Sequence, residues 1–196
     1  MVNHDTTRSD KILNKFLNRT QALEQIRMNF SGTCETDIDT FFALLCPARE
    51  ADWIPGWNAE VLHSDNGGKT AIDCIFQTDK SNVFGEGVWI FTDVIKNKCV
   101  DLVRVSKNLT MHLKVDVKVN DDGTVTSAWN IVASALNQKG NKEVASLKKH
   151  VGIESTVLPK IIEHYLKTGK QMNKASLGVS IVANKLKNLT SSGHQF

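Results

Sequence analysis

Leu109-Thr110-Met111-His112-Leu113-Lys114-Val115-Asp116-Val117-Lys118-Val119 alternates without a break. The odd positions are apolar and the even positions polar. A period of two marks an extended strand with one face in a core and the other in water. Asp121-Asp122-Gly123 then turns the chain, and residues 124–136 read as a further strand. On the other side lie two more extended runs, 86–95 and 99–106, separated by Lys96-Asn97-Lys98. Before them, residues 57–64 and 69–78 flank Asp65-Asn66-Gly67-Gly68, a strong hairpin signal. Short connections of this kind predict an antiparallel meander.

Outside the meander the period changes. Gln25-Ile26-Arg27-Met28-Asn29-Phe30 alternates as a strand, and Gly32 is expected to end it. Thr36-x-x-Asp39 matches a capping box. Ile38, Phe41, Phe42 and Leu45 follow on one helical face, and Pro47 stops that helix. Residues 48–54 read as a second short helix, ended by Pro55-Gly56. After the strands, Gly140-Asn141 marks another switch. Val144, Leu147, Val151, Leu158, Ile162 and Tyr165 fall on one face of a helix expected over 142–168, with Gly169 as its cap. Pro159 inside it predicts a bend.

The order defines an α+β fold. A curved antiparallel sheet of about six or seven strands wraps around a long C-terminal helix, with two short helices after the first strand. The ends extend beyond it. Ile12, Leu13, Phe16, Leu17 and Leu23 outline an amphipathic helix that packs on the domain or on a partner chain. Val179, Val182, Leu186 and Leu189 suggest a last amphipathic turn in an otherwise unstructured tail. The expected division is therefore residues 1–24, 25–170 and 171–196.

Composition narrows the function. The 196 residues suit one domain, and 41% hydrophobic content supplies a core. A net charge of +3, from 24 basic and 21 acidic residues without a dense basic block, argues against a nucleic-acid partner. Cys34, Cys46, Cys74 and Cys99 include no C-x-x-C pair and are expected to be reduced, in a cytoplasmic setting. Asn18, Asn29, Asn108 and Asn188 begin glycosylation sequons, but residues 1–11 are polar and no export signal is expected, so these read as chance matches. No apolar run reaches the roughly 20 residues of a membrane span.

Leu45-Cys46-Pro47-Ala48-Arg49-Glu50-Ala51-Asp52-Trp53-Ile54-Pro55-Gly56-Trp57 resembles the Cys-Pro-x-Arg-Glu-x-x-Trp-Ile-x-x-Trp signature of a bacterial branch of the START-like, birch-pollen-allergen-like helix-grip superfamily. That superfamily also includes polyketide cyclases and lipid-transfer domains. The resemblance spans residues 25–170 and agrees with the element order. A cone-shaped nuclear-transport-factor-like barrel would place its long helices first.

The resemblance implies an interior cavity, mostly apolar with a few placed polar groups. Candidate lining residues are Trp53, Trp57, Phe76, Trp89, Trp129, Leu158 and Ile162. Each tryptophan has an alternative role in core packing. Arg49, Glu50 and Asp52 are the first candidates for orienting a ligand or poising an acid. The alternative is an ion-pair network that fixes the junction. Arg104 stands between Val103 and Val105, so parity leaves open whether it is a ligand anchor or points outward.

No two of the six histidines have the i, i+4 spacing of a helical zinc site, so no metal is expected. Nucleotide and hydrolase motifs are missing, and Gly85-Glu86-Gly87 is too short for a phosphate fingerprint. No cofactor is implied. The leading expectation is a binder of an apolar or amphipathic molecule such as a lipid, quinone or polyketide-like compound. A cyclase, aromatase or hydratase comes second. A co-chaperone-like interaction module comes third, and the N-terminal helix offers a homodimer contact.

Overall fold

Alternating residues place one side chain per strand on each face, and paired strands carry this into rows across a sheet. In the computed structural model, which describes residues 23–82, 84–154 and 158–173, the elements follow in this order. They are β1 (Gln25–Cys34), α1 (Ile38–Ala43), α2 (Pro47–Trp53), β2 (Glu60–His63), β3 (Ile75–Thr78) and β4 (Gly87–Ile95). Then come β5 (Cys99–Val105), β6 (Leu109–Val119), β7 (Val125–Ala135), α3 (Gln138–Glu154) and α4 (Leu158–Thr168). The seven strands form one antiparallel sheet in the order β1-β7-β6-β5-β4-β3-β2. Bulges between Phe91 and Asp93 and between Val61 and His63 interrupt the register and help the sheet curve.

One inward row crosses almost the whole sheet. Ile26, Ala133, Met111, Arg104, Trp89 and Phe76 are successive cross-strand partners. Arg104 is the only charged member. The helices close this concave face: α3 packs on β7, β6 and β1, and α4 packs on β1 and α2.

Local chemistry moves several boundaries from their expected places. The first strand does not stop at Gly32 but continues to Cys34. The bare Gly32 Cα faces the Pro159 ring, and a Cβ there would overlap it. Its role is close approach to α4, not termination. The Thr36-x-x-Asp39 box does not form. Asp37 caps α1 instead, accepting from the Thr40 backbone N–H at 2.8 Å. Asp39 turns to Lys96 Nζ at 2.9 Å.

The hairpin after Glu60–His63 keeps Gly67 and Gly68 at φ +73° and +82°. However, residues 69–74 are not extended, and Asp73 at φ +61° delays β3 to Ile75. The expected helix over 142–168 begins earlier, where the Asn137 side chain accepts from the Lys139 and Gly140 N–H groups. Residues Gln138–Glu154 and Leu158–Thr168 are helical, and 155–157 lie outside the described residues. Pro159 is the second residue of α4 as described. Gly169 at φ +65° ends α4 as expected, donating to the Tyr165 carbonyl at 2.7 Å. The amphipathic helix expected over 12–23 and the turn over 179–189 lie outside the described residues, apart from Leu23.

Candidate ligand-binding groove

The inward faces of β3 and β4 carry large aromatics. Phe76 and Trp89 stack with centroids 5.7 Å apart and planes 7° from parallel. Trp57 closes on both at 6.2 Å and on Phe84 at 6.1 Å. Buried indoles need partners for their N–H groups. Trp53 donates to the Leu44 carbonyl at 2.9 Å, and Trp57 to the Pro47 carbonyl at 2.8 Å. Trp53 is fully buried and lines neither of the two spaces described below. Ile162 is likewise core.

This filling leaves little interior space. Trp129 and Leu158, with Phe30, Phe84, Met111 and Ile131, enclose an apolar pocket of about 30 Å³. That is the share of one water molecule in the liquid.

The larger space lies at the ends of the strands. A groove of about 1270 Å³ opens between the β3–β4 loop, the β5–β6 loop and α3. Asn58, Thr78, Asn82, Asn108 and Glu143 give it polar walls, while Ala59, Phe84, Leu109 and Leu147 give it apolar ones. Phe84 lines both the groove and the inner pocket. The β3–β4 loop is held firmly. Asn82 donates to the Asn58 carbonyl at 2.8 Å and accepts from the Phe84 N–H at 2.9 Å. Thr78 donates to the Gly85 carbonyl at 2.7 Å and accepts from the Trp89 indole at 3.1 Å. Ser81 donates to Asp79 at 2.6 Å, and that bond leads in holding the Asp79 carboxyl at about 2.

Arg104 points inward, into this groove, and is 3% exposed. Its Nη2 donates to the Glu86 carbonyl at 2.6 Å, and its Cζ lies 5.7 Å from the Trp89 ring centroid. Burial lowers its pKa. Nε is buried with no hydrogen-bond partner.

The three acid–base candidates lie elsewhere, and Glu50 is apart from the other two. Arg49 pairs with Asp52 at 2.5 Å, and both approach the Tyr165 hydroxyl, at 3.4 Å and 3.5 Å. These contacts tie α2 to α4. Glu50 sits one turn from Pro47 and one turn from Trp53 on the buried side of α2. Burial pushes its carboxyl up to about 8. None of the three lines the groove.

Sequence reasoning missed Phe84, Asn82, Asn108 and Glu143. Its one usable signal was Gly85-Glu86-Gly87, which accommodates the arginine rather than a phosphate. Among the described residues, no cluster of His, Cys, Asp and Glu gathers to hold a metal, and no helix is long and apolar enough to cross a membrane.

No family model and no curated protein matches the chain. Solved structures do. Ara h 8.0201 aligns over 74% of this chain and 99% of its own, at 14% identity and a TM-score of 0.53. The Zhui aromatase/cyclase from Streptomyces sp. R1128 aligns over 76% of this chain and 100% of its own, at 8% identity and a TM-score of 0.53. The chain spans only 48% of DynU16, a putative protein of the dynemicin biosynthetic locus, at 17% identity and a TM-score of 0.49. With its seven-stranded sheet, two short helices after the first strand and C-terminal helical arm, the chain has the START-like, birch-pollen-allergen-like helix-grip fold.

Proposed function

We propose that the chain binds an amphipathic small molecule in the groove between the strand ends and α3. The observation that carries this reading is the pairing of a roomy, partly polar groove with an apolar pocket behind a shared residue, Phe84. Such sites hold the apolar body of a ligand against side chains and orient it with a few polar groups. The groove volume suits a lipid, quinone or polyketide-like molecule, whereas the inner pocket would take only the tip of one. The fold it shares with an aromatase/cyclase lends the enzymatic alternative an analogy and no more. Arg49 and Asp52 are engaged with each other away from the groove, so binding is favoured over catalysis.

Phenylnaphthylamine, a neutral aromatic probe whose fluorescence rises in apolar surroundings, tests this. The full chain should bind it saturably, and Leu147→Gln, which places an amide on the groove wall, should weaken binding by about tenfold. Native mass spectrometry of the purified chain should show a bound small molecule. Absence of both a copurified compound and saturable probe binding would refute the reading.

A further inference from the structure

We propose that the ligand is an amphipathic acid whose singly charged headgroup is bound by the Arg104 guanidinium. This rests on the groove being a ligand site and specifies what that site recognises.

A buried charge is ordinarily paired, because leaving water is costly. Arg104 is buried, yet it makes no ion pair among the described residues. An arginine has five N–H donors. The Nη2 bond to Glu86 uses one, and Nε stands buried and unmatched. The Trp89 ring supports the cation from one side but leaves its charge in place.

The sequence makes room for this arrangement. A Cβ on Gly87 would stand 2.6 Å from Nε, and one on Gly85 would stand 3.6 Å from Nη2. The two glycines thus let the guanidinium lie close against their backbone, where a side chain would displace it. Three carboxylates of the groove accept from neutral donors, although Glu143 also acts on Arg104 through its charge. Gln77 donates to Glu60 at 2.6 Å, and Asn108 to Glu143 at 2.5 Å, as Ser81 does to Asp79. Arg104 is therefore a buried groove cation that the Glu143 carboxylate favours without forming an ion pair, and an oxyanion is the chemistry that would complete it.

The charge of the lining sets a limit on the headgroup. Glu60, Asp79, Glu86 and Glu143 oppose Lys80, Arg104 and Lys107. A doubly charged phosphate would meet repulsion from this slight acidic excess, whereas a carboxylate or sulfonate carries only the charge that Arg104 can match. The apolar remainder of the molecule would lie along Leu109 and Leu147 and reach Phe84.

Anilinonaphthalene sulfonate and phenylnaphthylamine share a ring system and differ in the anionic group. Each is titrated into the full chain by fluorescence. Wild type should bind the sulfonate at least about tenfold more tightly than the neutral probe. Arg104→Met should bring the two affinities within about twofold, mainly by weakening the sulfonate. Arg104→Lys, which keeps the charge and loses the planar fork, should retain part of the preference. Equal affinities in wild type, or an unchanged preference in Arg104→Met, would overturn the headgroup assignment while neutral-probe binding left the groove reading intact. If wild type binds neither probe, the groove reading fails and takes this assignment with it. Should Arg104→Met not fold, the wild-type comparison and Arg104→Lys decide the question.

Discussion

Glu50 and Arg104 are both ionisable residues whose pKa values burial shifts, in opposite directions. Arg104 cannot shed its proton, so its charge calls for a partner. Glu50 can take up a proton, and burial raises its carboxyl from 4.5 to about 8. The sign of the pH effect follows. The unfolded chain ionises this residue near 4.5, whereas the folded chain keeps it protonated until about 8. Below 4.5 both states hold the proton and Glu50 makes no pH-dependent difference. As pH rises toward 8 the unfolded state is progressively favoured. Glu50→Gln keeps the shape and cannot ionise. Its stability advantage over wild type should be near zero at pH 4 and approach about 5 kcal/mol at pH 9, one pKa unit being worth about 1.4 kcal/mol. Urea unfolding of both proteins across that range measures it. A gap that stays constant with pH would show that the carboxyl is not desolvated.

At the scale of elements, the contact between β1 and α4 is one that a single atom can break. Gly32 lies opposite Pro159 with no space for a methyl group. Gly32→Ala should separate the strand from the helix and cost about 1–3 kcal/mol, as overpacking of a filled site does. A thermal melt no lower than that of wild type would show that α4 shifts freely. The glycine was legible in the sequence, but as a strand end. Composition cannot distinguish a glycine that ends a strand from one that admits a neighbour. The same contrast runs through the fold. Leu109–Val119 was readable to the residue because one face is buried and the other wet. Residues 69–74 were not, since the positive φ of Asp73 and its bond to the Phe91 carbonyl depend on a strand that follows later in the chain. The groove was the least legible part. Arg104 lies between two valines, and only its register beside Trp89 and Met111 turns it inward. Its neighbours in the groove come from segments as far apart as Asn58 and Glu143.

For the molecule as a whole, the two ends of the sheet are stabilised differently. Around Trp53, Phe76 and Phe91 the core is closed, with side chains essentially removed from solvent. At the other end, the β3–β4 loop, the β5–β6 loop and α3 face one another across the groove, and Asn108 to Glu143 is one direct bond between them. A ligand seated there would contact all three and bind only the folded chain. At a free concentration of one hundred times its Kd, such a ligand adds about 2.7 kcal/mol to the folding free energy. For a chain of this length each kcal/mol moves the midpoint by about 2–4 °C, so Tm should rise by roughly 5–10 °C. Melting followed by circular dichroism, with and without anilinonaphthalene sulfonate at that saturation, should show the rise in wild type. Under the same dye concentration the rise should be smaller in Arg104→Met, because its weaker binding lowers the saturation. A fall in Tm would mean that the dye prefers the unfolded chain. An equal rise in both proteins would place the stabilising contact away from Arg104, so the difference between the two melts links the buried guanidinium to the stability of the whole fold.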